Sequence, residues 1–396
     1  MKANSELRIG IIGAGGRGGI GRYAHKPEQG VRVVAGADVN PKAFERFKQD
    51  FGDDVFTTDD YRRVLEQDID AVFITSPDFL HEEHAVAALQ AGKHVYLEKP
   101  MAITIEGCDR ILQAAFDSKV KLYLGHNMRH FPVVRKMKQL IESGAIGEPK
   151  TCWCRHFISY GGDAYYKDWH AEIAKSTGLL LQKGAHDIDV MHWLCGGYSS
   201  TVVGMGALTL YDKVPNRRKA EDAYSVSWHD TNWPPMANTG LNPIIEVEDI
   251  NMMLMHLDNG VFASYQQCHY TPDAWRNYTV IGTEGRIENV GDSGEKALVH
   301  LWDKRGDSQP DAVFRFRPIK GGHGGSDTNI IAEFIRYIRE GGKIDTSPVA
   351  ARYSVAAGYQ ATMSIRDGFT PKAVPALDPE LRAYFERDTR SGLTTQ

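Results

Sequence analysis

Glu98-Lys99-Pro100 is the tripeptide of this chain best suited to chemistry. A lysine directly after a buried strand can be partly desolvated, which lowers its amine toward the range useful for proton transfer. Pro100 biases Lys99 toward an extended conformation. A solvated loop lysine is the competing reading. A second stretch, Gln182-Lys183-Gly184-Ala185-His186-Asp187-Ile188-Asp189, turns helical after Gly184. There His186, Asp189 and Val190 share a face, and the residue types suit general acid–base work. A metal reading through His186, Asp187, Asp189 and His192 lacks a further Cys or His pair at ligand spacing, so no metal is expected.

Gly13-Ala14-Gly15-Gly16-Arg17-Gly18 fits G-x-G-x-x-G after the apolar run at 7–12. Gly13 allows a tight turn, Gly15 lets backbone approach a pyrophosphate, and Gly18 lets the following helix pack on the strand. Asp38 closes the next apolar run, at 31–37, where a ribose-binding carboxylate belongs. Val39 and Asn40 follow it rather than Arg, and a carboxylate there repels a 2′-phosphate, so NAD is preferred over NADP. The competing reading is a loop glycine cluster and an Asp N-cap before Pro41.

These residues need a scaffold. Strands are expected at 71–75, 94–97 and 121–125, alternating with helices at 80–91 and 105–118. That alternation argues for an α/β fold with a doubly wound parallel sheet, in which ligands sit beyond the carboxyl ends of the strands. Thr75-Ser76-Pro77, Glu98-Lys99-Pro100 and Gly125-His126-Asn127 are such ends.

The glycine loop, Thr75-Ser76-Pro77 and Ala91-Gly92-Lys93-His94-Val95-Tyr96-Leu97-Glu98-Lys99-Pro100-Met101-Ala102 resemble the glucose-fructose oxidoreductase / inositol dehydrogenase / rhizopine-catabolism family. So do 141–149, with Gly144 and Pro149, and 176–194, with His186-Asp187-Ile188-Asp189. The resemblance covers nearly the whole chain. It implies an N-terminal Rossmann domain, placed at 1–128. It also implies an α/β domain at 129–396, with a large open, mostly antiparallel sheet carrying the substrate site and the contacts of a homo-oligomer, a dimer or tetramer. Family members mostly oxidise or reduce a secondary alcohol of a sugar or cyclitol with NAD(P). Their Glu-Lys-Pro lysine carries over to Lys99 and the histidine of Asp-x-x-x-His to His186. The Asp position is Gln182 here, which hydrogen-bonds but cannot take a proton. Lys183 is expected as a second cation, able to lower the pKa of Lys99 or His186 or to bind an anionic substrate group.

The catalytic set expected is therefore Lys99, His186, Gln182 and Lys183. NAD is expected on Gly13, Gly15, Gly16, Arg17, Gly18, Asp38, Ser76, Pro77, His81, Glu98, Lys99, Asn127 and Trp169. Substrate contacts are expected from Lys99, Arg129, His156, Tyr165, His170, Lys183, His186 and His323. The aromatic run Tyr165-Tyr166-Lys167-Asp168-Trp169-His170 offers flat walls for a sugar ring or a nicotinamide. Cys152-x-Cys154 reads as a strand pair on alternate faces. The aperiodic segment 211–243, with Asn216-Arg217-Arg218-Lys219, Trp228 and Trp233-Pro234-Pro235, is expected to lid the pocket or cover a neighbouring subunit. A helix at 350–368 is expected to pack back on the Rossmann side.

The rest of the composition excludes more than it specifies. The 396 residues exceed one ordinary core. A net charge of −5 gives no global pull toward nucleic acid or anionic membrane. No apolar run approaches the ~20 residues of a membrane span. Five cysteines without framework spacing, and no leader-like start, point to a cytoplasmic protein. Three activities fit: a sugar or cyclitol dehydrogenase; a redox-neutral glycosidase that oxidises C3, eliminates, adds water and returns the hydride, on an anionic glycoside if Arg129, Arg155 and Lys183 face the pocket; and a non-enzymatic NAD sensor or scaffold.

Overall fold

The computed structural model describes residues 6–222, 232–292, 296–306, 308–317 and 321–387. Contacts divide the chain into two units, the first drawn from 1–130, 320–352 and 377–391 and the second from the remainder. The single boundary expected at 128/129 is therefore replaced by a chain that returns to its first unit twice.

In the first unit the expected runs form a parallel sheet. Its strands are Leu7–Ile12 (β1), Val31–Ala37 (β2), Phe56–Thr58 (β3), Ala71–Ile74 (β4), His94–Leu97 (β5) and Leu122–Leu124 (β6). The order β3-β2-β1-β4-β5-β6 is that of a doubly wound dinucleotide fold. All four residues of β4 are buried, as a parallel strand covered on both faces requires. The helices are Lys42–Phe51 (α1), Tyr61–Leu65 (α2), His81–Gln90 (α3) and Ile105–Ser118 (α4). Thr104 caps α4 by accepting from the Gly107 N–H. The helix expected after the glycine loop is a 3₁₀ helix, Gly16–Tyr23. Gly16, Gly18, Gly19 and Gly21 lie inside it, and glycine weakens an α-helix by about 1 kcal/mol per residue. Two later helices return to this unit. Ser326–Glu340 (α10) buries Phe334 against Tyr96 and Tyr123, and Pro379–Glu386 (α12) meets Phe116 of α4 through Tyr384.

The second unit holds a nine-stranded sheet. Its strands are Pro149–Phe157 (β7), Ser199–Ala207 (β8), Ile250–Leu257 (β9), Phe262–Cys268 (β10), Trp275–Gly282 (β11), Arg286–Val290 (β12), Leu298–Trp302 (β13), Ala312–Arg315 (β14) and Lys372–Ala373 (β15). The order is β14-β13-β12-β11-β7-β10-β9-β8-β15, and the β7–β10 pair is parallel within an otherwise antiparallel sheet. Cys152, Cys154 and His156 lie two residues apart and share the buried face of β7, which corrects the expectation of alternate faces. That face is covered by Gly184–Cys195 (α9), ended by Gly196 in the left-handed region. The remaining helices are Pro132–Glu142 (α5), Gly161–Tyr165 (α6), Ile173–Ser176 (α7), Leu179–Gln182 (α8) and Pro348–Arg366 (α11).

Helix α11 corrects a second expectation. Only its start groups with the first unit, where Arg352 pairs with Asp109 at 2.8 Å; from Tyr353 it belongs to the second. There it lies so close to β8 that a Cβ on Gly204 would come 2.1 Å from the Ala361 carbonyl oxygen. The 211–243 segment is held by its own arginines. Arg217 donates to the carbonyls of Tyr211, Asp212 and Asn242, and Arg218 to that of Lys167. Trp228 lies outside the described residues. Five free cysteines, four of them buried, make no disulfide. No helix among the described residues is long and apolar enough to cross a membrane.

Candidate active site

The first unit gathers its polar groups at the carboxyl ends of the parallel strands. Gly13 has φ +90°, and a Cβ there would stand 2.6 Å from the Ser76 nitrogen. A Cβ on Gly18 would stand 2.4 Å from the Gly13 carbonyl oxygen. Gly16, with φ +47°, has nothing within 4 Å of its missing Cβ. Asp38 accepts from the Gly15 N–H at 2.7 Å and from the Asn40 N–H at 2.8 Å. A narrow glycine cradle with a carboxylate at its rim fits a dinucleotide with a free 2′-hydroxyl.

Arg17 bridges two acids beside this cradle. Its Nε donates to Glu98 at 2.6 Å, and its two terminal nitrogens donate to Asp327 at 2.8 and 2.9 Å. Burial disfavours ionised Glu98, but the Arg17 charge prevails and its pKa falls. Burial also opposes Asp327, and hydrogen bonds from His323 and Arg17 outweigh it, so its pKa falls too. Asn127 Nδ2 donates to Asp327 at 3.1 Å. Lys99 is half-buried and follows the buried Glu98, and its peptide to Pro100 is cis.

Three first-unit expectations change. His81 is fully buried, with its ring nitrogens 2.7 and 2.9 Å from the Pro100 and Ser76 carbonyl oxygens. It holds two cofactor-side turns in place rather than touching a cofactor. Arg129, expected at the substrate, is buried and donates to the Asp345 carbonyl at 2.6 Å. His323 lies 2.9 Å from Asp327, which makes it a tether of the same acid that holds Arg17. Ser76 Oγ lies 2.9 Å from the ring of the buried His84, and Pro77 follows at the mouth of the turn.

The second unit is organised around Asp187, which is 0% exposed. It accepts from the hydroxyls of Tyr265, at 2.8 Å, and Tyr278. It also pairs with His156 at 2.9 Å and with Arg276 at 3.0 Å. Register explains the convergence: Cys154 stands opposite both Tyr265 and Tyr278, and His156 opposite both Gln267 and Arg276. Burial opposes the Asp187 charge, but Arg276 and His156 hold its pKa below the ordinary carboxylate range. The same burial, with Arg276 adding to it, lowers His156 to about 4. His156, expected to touch substrate, is thus a neutral member of the buried network.

Lys183 and His186 stand above this network at a three-residue spacing, both half-buried, and Gln182 before them is buried. Burial first, then the Arg276 charge, lowers the Lys183 amine from 10.5 to about 7. A lysine held there is balanced between its charged and neutral forms near neutral pH, which suits the place Lys183 has in the expected catalytic set. Its Nζ lies 5.7 Å from the centre of the Tyr165 ring and 5.9 Å from that of Tyr160. Asp168 caps the turn at Trp169 and accepts from the His170 N–H, while the Trp169 and His170 rings stack at 3.7 Å. Of the metal reading, Asp187 is committed to four donors and His192 to Ser199; no group of three or more His, Cys, Asp or Glu among the described residues could hold an ion.

The sequence reading missed Tyr265, Arg276 and Tyr278. Their one trace was large polar residues alternating along apolar strands, and only register brings them together.

Known proteins resemble this chain along most of its length. Residues 7–126 match the description "Oxidoreductase family, NAD-binding Rossmann fold", and residues 138–371 match "Oxidoreductase family, C-terminal alpha/beta domain". YteT of Bacillus subtilis is 26% identical over 382 residues, covering 82% of this chain and 84% of that protein. Inositol 2-dehydrogenase of Serratia proteamaculans is 37% identical over 192 residues, 48% of this chain and 54% of that enzyme. The chain spans about half the length of the inositol dehydrogenases it matches. A solved levoglucosan dehydrogenase, in complex with NADH and L-sorbose, shares the fold with a TM-score of 0.77 and 22% identity over 94% of this chain and 99% of that one. With both halves matched, and with a glycine cradle and Asp38 suited to NAD, the chain belongs to the Gfo/Idh/MocA family of NAD-binding oxidoreductases.

Proposed function

We propose that this protein oxidises a secondary alcohol of a sugar, sugar derivative or cyclitol, using NAD. The observation that carries the reading is the pairing of a dinucleotide cradle, with Asp38 on the Gly15 N–H, and half-buried Lys183 and His186 next to the buried Asp187 network; burial and Arg276 lower the Lys183 amine. The inositol and levoglucosan dehydrogenases among its relatives support the substrate class.

NAD, when bound, supplies the hydride acceptor. Gly13, Gly15, Gly16 and Gly18 would hold its pyrophosphate and Asp38 its adenosine ribose, with Asn127 toward the nicotinamide. His186 takes the alcohol's proton, Lys99 stabilises the developing alkoxide, and Gln182 orients the hydroxyl. Lys183, three residues before His186, accepts the proton in its neutral form and passes it on. Fixing these groups by a buried network removes reorganisation from the reacting step.

A second reading, the redox-neutral glycosidase, gains from the same lysine. Its two further proton transfers need another group titrating near neutrality, and Lys183 is one. Incubation with inositols, anhydrosugars, aldoses and glycosides under limiting NAD separates the two. Oxidation should stop when one NADH has formed per NAD supplied. Many products per NAD with release of an aglycone would replace the dehydrogenase with the glycosidase. No turnover of any polyol or glycoside would refute both.

Oligomerisation belongs to the same proposal. The sheet face opposite α9 exposes Met205, Met252, Leu254 and Phe262 by 43–64%, on the neighbouring strands β8, β9 and β10. Such an apolar row suits burial against a second copy.

A further inference from the structure

Tyr265, Gln267 and His269 follow one another on the covered face of the sheet, at and just beyond the end of β10. Asn251 of β9 stands directly opposite Gln267. Gln267 and Asn251 are 1% exposed and His269 is 0% exposed. Among the described residues, four polar atoms here have no hydrogen-bond partner: both ring nitrogens of His269, Nε2 of Gln267 and Oδ1 of Asn251. Rotating the Gln267 amide does not remove the deficit. Tyr265 has one hydroxyl proton and donates it to Asp187, so Gln267 satisfies one amide atom on the Tyr265 oxygen and leaves the other unmet.

Each unmet buried polar group destabilises the folded chain. Apolar side chains of similar size would remove that cost, so a cluster of such groups points to a ligand that satisfies them. The surroundings say where the ligand lies. The His269 ring meets Tyr165 edge-on, at 5.2 Å, and Tyr165 is the ring beneath the Lys183 amine. Gln267 is the register partner of His156, which contacts Asp187. The cluster therefore adjoins the acid–base groups of the second unit.

We propose that His269, with Gln267 and Asn251, binds adjacent hydroxyls of the substrate and fixes which carbon of a polyol is oxidised. This deepens the dehydrogenase reading and rests on it. Burial above all keeps the His269 pKa well below its ordinary value, with Lys183 nearby adding to it, so the ring is neutral. A neutral imidazole has one donor and one acceptor, and a vicinal diol offers both in return. Gln267 and Asn251 add the same pair of functions one strand step away. An anion would leave the acceptor atoms unmatched.

The test compares wild type with His269→Leu and His269→Asn on a polyol that wild type oxidises and on its monodeoxy analogues. Expected is a 10–100-fold loss of kcat/KM in His269→Leu, mostly in KM, with Kd for NAD unchanged. Removal of one substrate hydroxyl should cost wild type a similar factor and His269→Leu almost nothing. His269→Asn should restore part of the discrimination. His269→Leu should melt no lower than wild type, because it deletes unpaired groups. Unchanged kcat/KM and unchanged deoxy discrimination would overturn the proposal and leave the cluster as a site for trapped water. A lower melting temperature with discrimination intact would overturn it in favour of a structural role. Histidine-selective ¹⁵N spectra of wild type give a reading that needs no folded variant: the His269 ring signals must shift on adding the polyol and stay fixed on adding NAD alone, and a ring indifferent to polyol overturns the proposal. Wild type inactive on every polyol would instead mark failure of the dehydrogenase reading itself.

Discussion

Removing the Lys183 amine should erase the rise of activity with pH that the proposed oxidation requires. A lysine at its ordinary value of 10.5 is neutral in roughly one molecule in three thousand at pH 7. At about 7, half of the molecules carry the neutral amine, so burial and Arg276 together raise the population of usable base by about a thousandfold. The sign follows directly. The acting form is the deprotonated one, so kcat/KM should rise with pH through about 7 and level off above it. Lys183→Met should lose about 10²–10⁴ in kcat/KM on the plateau, the range of a positioned acid–base group, and should lose the limb. Lys183→Arg should not rescue it, because a guanidinium does not deprotonate. His186→Asn should lower the plateau but keep a limb near 7. The assay is initial NADH formation at saturating NAD and substrate well below KM, since kcat/KM then reports the enzyme–NAD complex before substrate binds. A limb near 7 surviving in Lys183→Met, or a flat wild-type profile from pH 6 to 9, would refute the reasoning.

Asp187→Asn removes the buried carboxylate that faces Arg276, and breaking a buried pair costs roughly 3–5 kcal/mol; denaturant unfolding should show that loss, and a change below about 1 kcal/mol would mean that the network is not holding the sheet to α9. Acid should weaken the fold between about pH 6.5 and 4, because His156 binds its proton only in the unfolded chain over that window; His156→Leu should flatten the dependence there in pH-resolved melts. Asp38→Ala should raise Kd for NAD about 10–100-fold and narrow the preference over NADP, read by cofactor fluorescence; an unchanged ratio would remove Asp38 from the ribose site. Leu254→Asp with Phe262→Asp should reduce the mass seen by light scattering to one chain, whereas an intact oligomer would place the interface elsewhere.

What could be read from the sequence divides along the distance between interacting residues. The glycine loop, Asp38 and Glu98-Lys99-Pro100 were legible because a dinucleotide cradle is made of short contiguous pieces, each with a local backbone demand. Gly18 is required by the Gly13 carbonyl five residues away. The strands β1, β2 and β5 were legible for a related reason, since a parallel strand buried on both faces is a run of apolar residues whatever its neighbours. Helix α1 was not, because only Phe47 and Phe51 of its ten residues are buried and no residue of its first turn is. The substrate half was legible in its residue types and wrong in several of its roles. Lys183 is marked by its type and place, but its shift is not, because that depends on burial and then on Arg276, 93 positions later and invisible until β11 lies against β7. His156 and Arg129 were read as substrate contacts on type alone, and long-range partners had already claimed both. The same reasoning explains His269. Nothing local marks a histidine at the end of a strand, and it became informative only when register showed three neighbouring polar side chains buried together with atoms unmatched. In this fold the NAD-binding half is written in spacing, whereas the polar network of the second unit is written in pairing across strands, where side chains can change without disturbing the motif that identifies the family.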